Sequence, residues 1–213
     1  TAGLANRYRG LTQATFQETV APRVPGDTVA DMLKRLAKLP LNFHPGDRWE
    51  YGRGTDVVGR LVEVMSGQTL DRFLRERIFE PLDMPDTHFY LPASKLGRFA
   101  AQYQPGEDGT LLLADAPSAE SRFVKAPHTY FSGAGGLVST ARDYFRFHQM
   151  MLNGGTLGGA RILSRKTIEL MTANHTGDYG IWLAGPGYGF GLGYAIVTDL
   201  GPSGTPRSEG SYY

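Results

Sequence analysis

The pattern of this 213-residue chain predicts an α+β fold. Helical periodicities dominate, strand-like stretches come in hairpins, and no regular alternation of strand and helix runs through the chain, which argues against a doubly wound sheet. Hydrophobic residues make up 41% and charged residues 20%, a balance that suits one globular domain and is too apolar for a disordered chain.

The elements follow in order. Thr28-Val29-Ala30-Asp31 reads as a capping box. Val29, Met32, Leu33, Leu36 and Leu39 then recur at helical spacing, with Lys34, Arg35 and Lys38 opposite, until Pro40 ends the helix. A second helix spans about Asp56 to Met65, with Val58, Leu61, Val62 and Met65 inward and Gly67 as its stop. A third starts at Thr69 and buries Leu70, Phe73, Leu74 and Ile78 before Pro81. The stretch 98–114 reads as a hairpin turning at Pro105-Gly106-Glu107-Asp108-Gly109, and 115–130 is irregular. Ser132 to Thr140 opens another helix, with a capping box at Thr140 and Asp143, a stripe of Ala141, Tyr144, Phe145, His148, Met151 and Leu152, and a stop at Gly154-Gly155. Ser164 caps a shorter helix carrying Ile168 and Met171. Tyr188 to Thr198 reads as a strand, and Ser211-Tyr212-Tyr213 as the start of another.

Several functions are set aside by composition. The net charge is +1 with Lys and Arg scattered, so nothing draws nucleic acid or an anionic membrane. No apolar run approaches the roughly 20 residues that span a bilayer. Without cysteine there is no disulfide, thiolate site or cysteine nucleophile. His44, His88, His128 and His148 show no ligand spacing, so neither a metal nor another cofactor is expected. The glycine runs at 133–136 and 187–193 lack the spacing and the following helix that a phosphate loop needs. The compartment stays open.

The stretch Phe43 to Asp56 is the most informative. Its Pro45-Gly46 turn leads into Trp49-Glu50-Tyr51 and a glycine-flanked helix start, which delivers one phenol to the mouth of a helix. Taken alone, Tyr51 reads as a tyrosine packed between helices. Its neighbours change that reading. Thr1-Ala2-Gly3-Leu4, the Pro-Gly-x-x-Trp-x-Tyr segment, Asp56-Val57-Val58-Gly59, Glu80-Pro81-Leu82-Asp83-Met84, Ser132 to Thr140 with Asp143, and Gly187 to Tyr194 occur in one order along nearly the whole chain. That ordered set resembles the serine β-lactamase and penicillin-binding superfamily, above all the carboxylesterases built on the class C β-lactamase fold.

The resemblance implies a β-lactamase/transpeptidase-like fold and acyl transfer through a serine ester. The family's serine sits in a Ser-x-x-Lys turn. A tyrosine, here Tyr51, moves the serine proton to the leaving group, and a strand carrying Lys-Thr-Gly, His-Thr-Gly or, in the esterases, Trp-x-Gly completes the site. A phenol has a pKa of about 10, so it serves as a base only beside a cation. The family's lysine would supply one, and Arg53 is a candidate for another. Arg53, Ser132 and Gly133 are the expected substrate-binding positions. Class C β-lactamases have Asn where Arg53 stands, which tilts the reading from β-lactams toward short-chain esters.

Ser-x-x-Lys does not occur in these residues; Ser121 and Lys125 are one position too far apart. His175-Thr176-Gly177 leaves a helix rather than lying on an extended apolar run, so it reads as a loop exit and not as the third motif. The expectation is therefore the middle of such an enzyme across 1–213, with 1–130 mostly helical and 131–213 holding the Gly-rich loop, helices and first strands of the core sheet. A β-lactamase or D-alanyl-D-alanine carboxypeptidase on the same fold, and a non-catalytic fragment or pseudoenzyme, stand as alternatives. The isolated 213 residues, with sheet edges exposed near 188–198, are expected to fold poorly; a sharp, reversible thermal transition followed by circular dichroism would overturn this.

Overall fold

The computed structural model describes residues 2–6, 10, 12–22 and 24–213. Thr1, part of the first family-like segment, lies outside the described residues. Two hydrophobic cores organise the rest. In the first, α1 (Gln13–Thr19) buries Phe16 completely against Ala5, Val20 and Tyr130 and against Val29, Met32 and Leu36 of α2 (Val29–Leu36). α2 starts where the sequence says it should. Thr28 Oγ1 accepts from the Asp31 N–H at 3.2 Å, and the Thr28 N–H donates to the Asp31 carboxylate at 3.2 Å, so the capping box is closed.

α3 (Gly54–Ser66) stops at Gly67, which takes a φ of 68°. Its expected inward stripe is not inward: Val58, Leu61 and Met65 are exposed, Met65 to 86%, while Asp56 and Gly59 are buried. Spacing shows which residues share a helical face, but not which face meets a partner. Here the partner is a glycine-rich loop, which seats on the small residue rather than on the large ones. α4 (Leu70–Leu74), preceded by Thr69, runs into a wider π-type turn, Arg75–Phe79.

Phe79 begins the second core, with Leu82, Met84, Met150, Met151 and Ile168. Met150 and Met151 come from α5 (Ala141–Leu152), and Ile168 from α6 (Arg165–Met171), which Ser164 caps by accepting from the Thr167 N–H at 3.0 Å. The expected capping box of α5 is only half built. Thr140 Oγ1 accepts from the Asp143 N–H at 3.2 Å, but the Asp143 carboxylate turns away to the Asp86 N–H at 2.7 Å and Thr87 Oγ1 at 3.0 Å. The carboxylate thus joins α5 to the 80–87 turn. The α5 stripe divides likewise, with Met151 buried and Tyr144, Phe145 and Leu152 exposed.

The strands form small antiparallel ribbons. β1 (Gln102–Pro105) pairs with β2 (Leu111–Asp115) as the expected hairpin, and β3 (Thr156–Leu157) pairs with β4 (Ala160–Arg161). The single strand expected over 188–198 is two: β5 (Tyr188–Phe190) and β6 (Ala195–Val197). The chain reverses between them, where Gly193 has a φ of 99° that a side chain would resist. α7 (Leu200–Ser203) follows, and Tyr212 returns to bridge Ile196.

Asp86 ties the 80–87 turn to the 3₁₀ segment Ala93–Arg98, with Arg98 at 2.5 Å and Lys95 at 2.8 Å. Hydrogen bonds from Arg98 and then Lys95 hold its carboxyl well below the usual carboxylate range. A depressed folded pKa gives stability that is full above the unfolded value of about 3.9 and fades as pH falls through the folded one. Asp86→Asn should therefore lower the urea midpoint of the full-length protein at neutral pH, with the gap to wild type closing on acidification; a gap that does not depend on pH would count against the ion pairs.

Candidate active site

The approach to Tyr51 is built rigidly. The Asp47 N–H donates to the His44 carbonyl at 3.1 Å and the His44 N–H to the Asp47 carboxylate at 3.2 Å, closing a turn in which Gly46 takes a φ of 97°. Trp49 is buried, its ring 5.3 Å from Phe190 and 6.2 Å from Trp182. Two residues on, Tyr51 is 39% exposed and opens on a cavity of about 340 Å³.

That cavity gathers stretches far apart in sequence: Asn6, the Tyr51-Gly52-Arg53 turn, Phe89-Tyr90, Arg122-Phe123, Tyr130, and the loop bearing Ser132 and Ala134 to Leu137. Three of the expected site residues, Tyr51, Arg53 and Ser132, thus share one cleft. Gly133 stands behind it, where a Cβ would collide with the Thr55 carbonyl and lie 3.3 Å from Gly59 Cα. Gly59 and Gly133 together let the loop backbone rest directly on α3. The far end of the loop is held by paired backbone bonds between Val138 and His88, at 2.8 and 2.9 Å. Tyr90 Oη donates to the Tyr130 carbonyl at 3.2 Å, which ties the aromatic wall together.

Asp56 organises this arrangement, and sequence reasoning passed over it as a site residue. Its side chain is fully buried. Ser132 Oγ donates to one carboxylate oxygen at 2.5 Å, and Arg53 Nη1 donates to the other at 3.1 Å. Ser132 Oγ also accepts from the Ala134 N–H at 3.1 Å. This hydroxyl is committed in both directions, so it holds a loop and is a poor nucleophile. The Arg53 charge faces Asp56, and its guanidinium lies 5.7 Å from the Phe16 ring. The Arg53–Asp56 spacing of three at a helix start was the available signal; the burial that makes the pair important was not visible.

The other candidates lie elsewhere. Ser121 is buried and donates to Asp115 at 2.9 Å, while Lys125 pairs with Glu120 at 3.0 Å, so these two residues form no Ser–Lys dyad. The His175-Thr176-Gly177 loop leaves α6 and supports β5, where Thr176 Oγ1 accepts from the Phe190 N–H at 3.1 Å. The described residues of the cavity lining include no His, Cys, Asp or Glu that could ligate a metal, and no cluster of three such residues occurs among the described residues. No helix among them is long and apolar enough to cross a membrane. What the cleft offers is an accessible phenol, an aromatic wall and guanidinium groups.

The family model described as Beta-lactamase matches residues 1–212. Protein Rv1367c of Mycobacterium tuberculosis is 36% identical over 175 residues, which cover 78% of this chain and 42% of that protein. Esterase EstB of Burkholderia gladioli is 31% identical over 192 residues, covering 84% of this chain and 47% of EstB. Among solved structures, EstCE1, a hydrolase with promiscuous acyltransferase activity, superposes with a TM-score of 0.76 at 25% identity, covering 99% of this chain and 57% of EstCE1. The chain therefore spans about half the length of the proteins it matches.

Removing the buried carboxylate should cost more than removing what it holds. Asp56→Ala leaves Arg53 without its counter-charge and is expected to destabilise by about 3–5 kcal/mol. Ser132→Ala should cost about 1–3 kcal/mol, and Gly133→Ala a similar amount by forcing the loop off α3. Chemical denaturation of the full-length variants checks this order; an Asp56→Ala protein as stable as wild type would contradict it.

Proposed function

The chain belongs to the beta-lactamase family, and from that premise we propose that the protein carrying it is a serine hydrolase that cleaves short-chain carboxylic esters through an acyl-serine intermediate. The family joins esterases, acyltransferases and carboxypeptidases on one fold. The observation that carries the ester reading is the Tyr51 turn. Its phenol opens on the cleft, and the position that would bear a β-lactam-binding asparagine holds Arg53, whose charge is directed to Asp56.

In this reading the serine Oγ attacks the ester carbonyl carbon as its proton passes to Tyr51. The tetrahedral intermediate collapses, the carbon–oxygen bond to the alcohol breaks, and Tyr51 returns the proton to the departing oxygen. Water then attacks the acyl-serine by the same route in reverse, which frees the acid and the serine. Ser132 and the loop on α3 shape the acyl side of the cleft. With no Ser-x-x-Lys in these 213 residues, the nucleophile comes from sequence outside them.

Tyr51→Phe in the full-length protein is expected to lower kcat for p-nitrophenyl butyrate by roughly 10²- to 10⁴-fold, as for loss of a general acid–base, with KM little changed. A fluorophosphonate probe should label the full-length protein at a serine outside residues 1–213. An adduct mapping within them, or kcat unchanged in Tyr51→Phe, would overturn this mechanism, and faster turnover of nitrocefin than of the ester would favour a β-lactamase.

A further inference from the structure

Arg122 brings to the cleft a positive charge that no carboxylate among the described residues balances. Arg53, the other guanidinium among the described lining residues, is paired with Asp56 at 3.1 Å. The described lining residues include no acidic side chain, and no carboxylate among the described residues pairs with Arg122. The acids just before it in sequence are engaged elsewhere: Glu120 pairs with Lys125 at 3.0 Å, and one Asp115 oxygen accepts from Ser121 at 2.9 Å.

The position of Arg122 is anchored. Its neighbour Ser121 is buried, and Ser121 Oγ accepts from the Phe123 N–H at 3.2 Å. The Phe123 carbonyl accepts from the Leu91 N–H at 2.6 Å, which fastens the turn beside Tyr90. The Arg122 guanidinium lies over the Phe123 ring, 4.6 Å from its centroid. A planar cation laid on a fixed ring keeps its N–H fork available to a planar anion, which it can meet with two parallel hydrogen bonds. An unbalanced cation in a cleft with aromatic walls also biases entry toward negatively charged ligands.

We infer that Arg122 is a specificity-determining residue, and that the preferred esters carry a carboxylate on the acyl or the alcohol part. This deepens the ester-hydrolase reading and rests on it for the substrate's ester bond, though not for the anion site.

The test compares the full-length protein with Arg122→Gln and Arg122→Lys. Three substrates are used: neutral p-nitrophenyl butyrate, mono-p-nitrophenyl glutarate with its carboxylate on the acyl side, and 4-butanoyloxybenzoate with its carboxylate on the alcohol side. Arg122→Gln is expected to lower the kcat/KM ratio of one charged ester to the neutral ester by roughly 10- to 100-fold, mostly through KM, as for a lost hydrogen bond to a charged group. Arg122→Lys should restore part of it, and added salt should shrink the wild-type ratio. A merely structural Arg122 would lower all three substrates together and leave both ratios unchanged, which would overturn the inference. Calorimetric titration with glutarate and with benzoate separates the two readings. If no ester is turned over but either anion binds wild type and not Arg122→Gln, the hydrolase reading falls and the anion site stands. Equal or absent binding of both anions in both proteins, with no shift in either ratio, removes the site.

Discussion

The cleft depends on one buried carboxylate. Asp56 sits in the first turn of α3 with no exposure, and it joins Arg53, three residues before it, to Ser132, far along the chain. A lone charge in such a place would be costly. Here one oxygen meets a guanidinium, the other a hydroxyl, and the N-terminal end of the helix itself favours negative charge. The tyrosine-bearing turn and the glycine-rich loop thereby become one piece. Because the carboxylate is shared, neither wall can move without breaking a charge-assisted bond.

Everything nearby serves that joint. Gly59 and Gly133 remove the side chains that would hold the loop off the helix. The first core supports the helices behind the turn, and the second core anchors α5, which follows the loop. The His88–Val138 pairing fixes the loop's exit beside the aromatic wall. The cleft is thus made of loops held on rigid helices, the usual way a scaffold positions chemistry.

What could be read in the sequence was what is local. The Thr28 capping box, the Gly67 stop, the 98–114 hairpin and the turn before Tyr51 each depend on a few neighbouring residues whose conformational preferences agree. The family-like segments could be read because their order spans the chain. What escaped notice depends on distant partners. Nothing near Asp56 announces that Ser132 will reach it, and nothing near Asp143 says its carboxylate will leave its own helix for Thr87. The α3 stripe is legible as a stripe, but its spacing does not tell that Gly59, and not Val58, Leu61 or Met65, meets the partner. Alternating apolar residues and glycines at 188–198 spell a continuous strand, while the left-handed conformation at Gly193 breaks it in two. Arg122 lies in an irregular stretch with no pattern at all, and only the fold shows that it faces the cleft.

The packing of Trp49 has a spectroscopic consequence. The chain has two tryptophans, and both belong to one cluster, with Trp49 against Trp182 and Phe190. Tryptophan emission from these residues therefore reports on a single joint, where the segment leading to Tyr51 docks on the 181–190 stretch. A change in that emission when a ligand enters the cleft would mean that the tyrosine's mounting has shifted, and a silent titration would mean that the cleft fills around a fixed phenol.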